Sequence, residues 1–326
     1  MTTLGARWRT RDTSLADSRA RLVGAGSVRL NVPFLLNALA IAGALVAAGQ
    51  VIEWSLMGAW PYHDTVNYWL AGRHVLEGGR VYDQPSGFLQ FIYAPPAALF
   101  WAAVAAIVPV YVATAFLLGL QILALRFVCG SWRNAGLVAW LPIVPRELAS
   151  GNVDLIVAAT IYAALTGVRR SGWLVALMMF TKWSPATVLV GCSRERWREA
   201  VIAGVVLVAM TLPWIALWPP YIGLVLGGVG PGEVIIPLII RVPICVALFA
   251  LRRPWATAAG AALITPAFYF HSLVLLLPAG RLYVTKRQVG LPTGSTIVVA
   301  SRAPETWPKV EKGLVGTGSA VVGDPA

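Results

Sequence analysis

The chain has 326 residues, of which 58% are hydrophobic and only 12% charged, and its mean hydropathy is +0.71. Soluble domains carry about 25% charged residues, and no water-soluble core of this length hides so much apolar surface. The composition therefore excludes a soluble enzyme and makes the lipid bilayer a partner. The net charge of +12 comes mostly from arginine. Its clusters fall between apolar runs and in the two tails, the distribution produced by positive-inside topology rather than by a nucleic-acid-binding face, so no nucleic-acid partner is expected.

The three cysteines, Cys129, Cys192 and Cys245, lie in or beside apolar runs with no CxxC or Cys/His spacing, which argues against a disulfide framework or a zinc site. Residues 1–32 read as a basic cytoplasmic tail carrying Arg7, Arg9, Arg11, Arg19, Arg21 and Arg29; the early apolar core of a cleavable signal peptide is missing. Residues 33–283 read as one membrane bundle. Residues 284–326, polar from Lys286 and rich in Gly, Thr and Pro, have no apolar stripe and read as a loose tail.

A spanning helix needs about 20 mainly apolar residues. The first candidate is Pro33 to Met57, followed by a mixed loop over 58–90, in which Thr65 to Glu77 has helical spacing of Val66, Trp69, Leu70 and Leu76. The stretch 91–129 is too long for one helix and is divided at Pro109. Runs follow at 135–148, 152–168, 172–192 and 200–218, then a Gly/Pro-rich loop at 219–233. A further run covers 234–251, and two share 255–282 with a break near Pro266. The expectation is an all-α polytopic membrane protein: a bundle of about ten hydrophobic segments, some short or re-entrant, with a surface helix in its first outer loop. With the N-terminus cytoplasmic, Arg194, Arg196, Arg198, Arg252, Arg253, Lys286 and Arg287 fall inside, but Arg169 and Arg170 land outside. The fourth and fifth runs are short, and either could be a half-membrane hairpin. No internal repeat and no P-loop, GxGxxG, HExxH or GxSxG signature stands out.

Ionisable groups at membrane depth are costly and mark function. Five groups qualify, four of them with a plainer alternative. His63 and Asp64 open the loop helix, where Asp64 could simply cap it. Tyr93 precedes Pro95 and Pro96 and could be an interface anchor. Arg146 and Glu147 stand near Asn152 and Asp154 between two short runs, and the first two could merely neutralise each other. Lys182 sits mid-run before the kinking Pro185, too far from either end to reach the interface. His271 stands in Phe268-Tyr269-Phe270-His271 and could be a packing residue. Arg241, between Pro237 and Pro243, is a further buried cation that could pair with Glu233 or sit at a helix break.

Taken in order, these elements resemble glycosyltransferase family 87, within the C-type, lipid-phosphate-sugar-dependent glycosyltransferases. The resemblance covers about residues 33 to 280. It rests on His63-Asp64 with Asn67-Tyr68 and Gly79-Arg80-Val81-Tyr82, and on Phe91-Ile92-Tyr93-Ala94-Pro95-Pro96. It continues through Gly151-Asn152-Val153-Asp154, Lys182-Trp183-Ser184-Pro185, and Pro266 to His271 with Leu275-Leu276-Leu277-Pro278-Ala279. Asn152 and Asp154 stand where the family usually carries Gln and Asn, and the chain ends soon after the histidine element, which keeps an inactive relative open.

The resemblance implies transfer of a sugar, most often mannose, from a polyprenyl-phosphate donor to a glycolipid or polysaccharide acceptor, with inversion, at the outer face of a bacterial plasma membrane. Asp64 would be the base, Lys182, His271 and Arg146 would hold the donor phosphate, and His63, Tyr68, Tyr93, Asn152 and Asp154 would contact substrate. No cofactor and no metal is expected, since no Asp-x-Asp motif is present. A lipid-linked sugar transporter is the competing expectation; the outer-loop carboxylate and the lack of a duplicated half favour the enzyme.

Overall fold

The computed structural model describes residues 31–56, 63–82, 91–226, 236–265 and 268–289. Among them there is no strand. The helices are α1 (Val32–Leu56), α2 (His63–Leu76), α3 (Pro95–Ile107), α4 (Val110–Cys129), α5 (Trp132–Val138), α6 (Ile143–Ser150) and α7 (Asp154–Thr166). They continue as α8 (Ser171–Met179), α9 (Ser184–Thr187), α10 (Arg194–Met210), α11 (Trp218–Leu226), α12 (Leu238–Ala250), α13 (Pro254–Leu263) and α14 (Leu277–Val289), with 3-10 turns at Val188–Gly191, Leu212–Leu217 and His271–Leu276. The basic tail, nearly all of the polar C-terminal tail, Pro266 and Glu233 lie outside the described residues.

Among the described residues two helices, α1 and α4, are long and apolar enough to cross a membrane. Two bent pairs, Ile143–Ser150 with Asp154–Thr166 and Arg194–Met210 with Leu212–Leu226, raise the number to up to four if each is one span. The other predicted segments emerge as shorter, broken pieces. Pro109 ends α3 and N-caps α4 as expected, Gly151 adopts a left-handed φ of +69° between α6 and α7, and the predicted loop at 219–233 begins as helix α11. The outside is apolar: Phe34, Ile41, Leu45, Ile107, Phe116, Val205 and Ile239 all stand exposed. A surface of that kind suits lipid rather than water.

Packing is set by small residues. The buried stripe of α1 is Ala40, Gly43, Ala47 and Val51. A Cβ on Gly43 would lie 2.2 Å from the Gly136 carbonyl oxygen, and one on Gly136 would lie 2.3 Å from that of Ala40. Only glycine lets α1 and α5 approach so closely, as in small-residue contacts between membrane helices. Gly72 does the same for α2, where a Cβ would meet the Trp101 carbonyl at 2.2 Å. Helix α3 therefore lies along α2, fixed further by Trp69 Nε1 donating to the Val108 carbonyl (2.9 Å). The buried face of α2 is Thr65, Asn67, Tyr68, Ala71 and Gly72, whereas the apolar Leu70 and Leu76 are exposed, an arrangement suited to a helix resting on a membrane surface.

The sixth predicted run is not one traverse. Helix α8 ends at Met179, the chain turns at Thr181-Lys182-Trp183, and α9 with its 3-10 turn comes back. Pro185 has no N–H, and its ring would clash with the carbonyl four residues earlier, so the helix cannot continue. Both feet of this hairpin stand at one end of the bundle. The Gly172 N–H donates to Glu199 Oε2 (3.1 Å), and Gly191 lies against Leu165 and Thr257. A half-length hairpin thus stands at the sixth run, besides the bent pair that the fourth and fifth runs form at Ile143–Ser150 and Asp154–Thr166.

This rearrangement corrects the one discordant basic cluster. Gly167 and Gly172, which flank Arg169 and Arg170, lie against Arg196. The Arg252–Arg253 turn follows α12 one helical turn before Thr257, and Trp255 packs on Tyr283 of α14 (5.7 Å between centroids). All these arginines share one end of the bundle.

Candidate functional site

The polar residues singled out in the sequence meet at the opposite end, around the α6–α7 break. The 112° bend there frees backbone groups that need partners in an apolar bundle. Thr65 Oγ1 of α2 donates to the Gly151 carbonyl (2.8 Å), and Gln121 Nε2 of α4 donates to the Asn152 carbonyl. The break is thus pinned from two sides, and α2 is pinned to it.

Asn152 is the junction. Its Oδ1 accepts the Val153 N–H (2.7 Å) and the Tyr68 hydroxyl (3.1 Å), while its Nδ2 lies 3.0 Å from His271 Nε2. The Tyr68 and Tyr93 hydroxyls are 2.8 Å apart, and Tyr82 donates to the Tyr93 carbonyl (2.8 Å). The Ala94 N–H donates to the Phe180 carbonyl (3.0 Å), which brings the hairpin tip against the start of α3. Burial, and then neighbouring Tyr93, hold the Tyr68 phenol well above its ordinary pKa, so it stays a neutral donor.

Lys182, at the hairpin tip, is ion-paired with Asp154 at the start of α7; their side chains are 9% and 0% exposed. The Asp154 N–H donates to Glu147 Oε1 (2.8 Å), and Glu147 is itself fully buried. Arg146 and Glu147 do not neutralise each other. Arg146 is exposed with its guanidinium over Phe270 (5.9 Å), and Glu147 turns inward. Adjacent residues on a helix do not face one another. Asp64 pairs with His63 (Nε2 to Oδ1, 3.2 Å), with 20% of its side chain exposed, and its charge acts on Tyr68 together with that of Asp154. Of the three carboxylates gathered here, Asp64 is the accessible one.

Every predicted site residue is therefore near this junction, but in different roles. Tyr68, Tyr93, Asn152 and Asp154 are buried with polar atoms turned to protein; His63, Asp64, Arg146 and His271 retain accessible surface. Sequence reasoning missed Gln121, Thr65 and the inward role of Glu147. Gln121, a lone amide in an apolar run, carried the signal. Glu147, Asp154 and His271 each offer one ligand atom, all within 4.8 Å of one another. A divalent cation would fit that donor set only if Lys182 and Asn152 gave up their contacts with it. Arg241 is fully buried, donating to the carbonyls of Ile236, Leu263 and Thr265, over the Phe268 ring. These contacts serve the broken end of α13, and Glu233, the other partner considered for Arg241, lies outside the described residues.

No family model, curated protein or solved structure matches this chain.

Proposed function

We propose that the protein is a membrane glycosyltransferase that moves a sugar, mannose in the first instance, from a polyprenyl-phosphate donor to a glycolipid or polysaccharide hydroxyl. The observation that carries this reading is the gathering of the five separated elements around the α6–α7 break, Tyr68 and His271 on Asn152, Tyr93 on Tyr68 and Lys182 on Asp154, with Asp64 the accessible carboxylate beside them. In this reading Asp64 takes the acceptor proton as the acceptor oxygen attacks the anomeric carbon. The bond from that carbon to the phosphate oxygen breaks, polyprenyl phosphate leaves with the electron pair, and the configuration inverts. Arg146 and His271, rather than the sequestered Lys182, meet the phosphate and offset its developing charge. Lys182 positions the α6–α7 break. The arginine-rich end faces the cytoplasm of a bacterial plasma membrane, and the junction faces outward.

One observation favours a second reading, a lipid-linked sugar transporter: the buried Lys182–Asp154 pair beside Glu147 is of the kind found along translocation paths. A single experiment separates the two. The full chain in lipid nanodiscs is given radiolabelled polyprenyl-phosphate mannose and envelope lipid extract, beside Asp64→Asn. Label transfer by the wild type that falls by roughly 10²–10⁴ in the variant, with donor still bound, supports transfer and its base. Donor binding with no transfer by either protein favours the transporter.

A further inference from the structure

We infer that Asn152 is a positioning residue that fixes His271 as a neutral imidazole with its proton on Nδ1, so that His271 serves the site as a hydrogen-bond donor rather than as a cation.

One donor at Asn152 has an identity beyond choice. A backbone N–H can only donate, and that of Val153 lies 2.7 Å from one atom of the Asn152 amide, which must therefore be the oxygen. The same oxygen takes the Tyr68 hydroxyl proton (3.1 Å). Tyr68 has one proton to give, so the 2.8 Å contact between hydroxyls is donated by Tyr93. With the oxygen assigned, the nitrogen of Asn152 faces His271 Nε2 at 3.0 Å. An amide NH₂ has no lone pair to offer and only donates, so Nε2 accepts and the ring carries its proton on Nδ1. The donors run in one direction, Tyr93 to Tyr68 to Asn152 to His271. An imidazolium would set an Nε2–H against the amide N–H and lose this bond. The Tyr269 ring stacks on the imidazole (centroids 5.5 Å, planes 24° apart) and holds its plane.

The ligand class follows. A neutral Nδ1–H donates to an acceptor oxygen, and in the transfer reading that acceptor is a phosphate oxygen of the donor lipid. The catalytic role rests on that reading; the tautomer does not. The arrangement leaves the net positive charge at the phosphate to Arg146, whose guanidinium lies over the adjacent Phe270.

The test is spectroscopic and needs no turnover. The chain has three histidines, so ¹⁵N-imidazole labelling of the full protein in nanodiscs gives few signals, and His271→Gln identifies those of His271. The expected result is a protonated, pyrrole-like Nδ1 and a bare, pyridine-like Nε2. Asn152→Asp replaces the facing donor by an acceptor and should move the proton to Nε2 or protonate both nitrogens. Tyr68→Phe leaves the Val153 bond in place and should leave the pattern unchanged, and unshifted His74 signals in the Asn152→Asp sample guard against a trivial loss of fold in that variant. A wild-type ring protonated on Nε2, or an Asn152→Asp protein with the wild-type pattern, overturns the inference. Neither result bears on whether sugar is transferred.

Discussion

Removal of one partner from the Lys182–Asp154 pair should destabilise the protein far more than removal of both. The side chains are 9% and 0% exposed, so water screens neither, and stripping one partner from a buried pair costs about 3–5 kcal/mol because it strands the other charge. The two single variants should not be equal. Lys182→Met leaves Asp154 and fully buried Glu147 together with no cation, whereas Asp154→Leu leaves Lys182 a second carboxylate, Glu147, whose charge already acts on it. Lys182→Met should therefore be the more damaging. The double variant Lys182→Met/Asp154→Leu replaces the pair by apolar groups of similar volume and should recover most of the loss, since such swaps are often near neutral. Thermal unfolding of purified protein in nanodiscs, followed by size-exclusion recovery, measures the cycle. Lys182→Met with wild-type stability, or additive losses in the double variant, would refute a buried, coupled pair at the hairpin tip.

Three further outcomes follow from the fold. In a chain with its three cysteines replaced, Arg170→Cys and Arg253→Cys should react with a membrane-impermeant maleimide from one side, and His63→Cys from the other; labelling of Arg170→Cys from the His63 side would refute the shared arginine end. Gly136→Leu should separate α5 from α1 and cost about 1–3 kcal/mol or more by overpacking, read as lost monodisperse yield, since its Cβ would stand 2.3 Å from the Ala40 carbonyl oxygen. Arg241→Met should strand the Leu263 and Thr265 carbonyls, each costing about 1–3 kcal/mol when buried without a donor, and a fall in unfolding temperature at unchanged ligand binding would check it.

Much of this molecule is written in local sequence. The membrane setting follows from composition, because apolar area needs a solvent whatever the fold. The α3–α4 boundary follows from Pro109, and the existence of α2 from its period, because both obey one-dimensional rules. Lys182, Asn152 and His271 stood out because a polar group in an apolar run is costly wherever it ends up.

What tertiary structure decided was pairing and direction. The run at 172–192 has the length of a traverse, and Pro185 marks only where its helix must stop; whether the chain then continues or folds back depends on what meets Lys182, and Asp154 of α7 supplies that. The same fold-back brings Arg169 and Arg170 to the end shared with Arg196, a result that segment counting alone inverted. Glu147 looked like a partner for its neighbour Arg146, but successive helical residues point apart, and the inward direction of Glu147 is set by Asp154 across the break. Sequence names the groups that cannot stand alone in lipid, and only packing, which acts between residues far apart in the chain, names the partners that satisfy them.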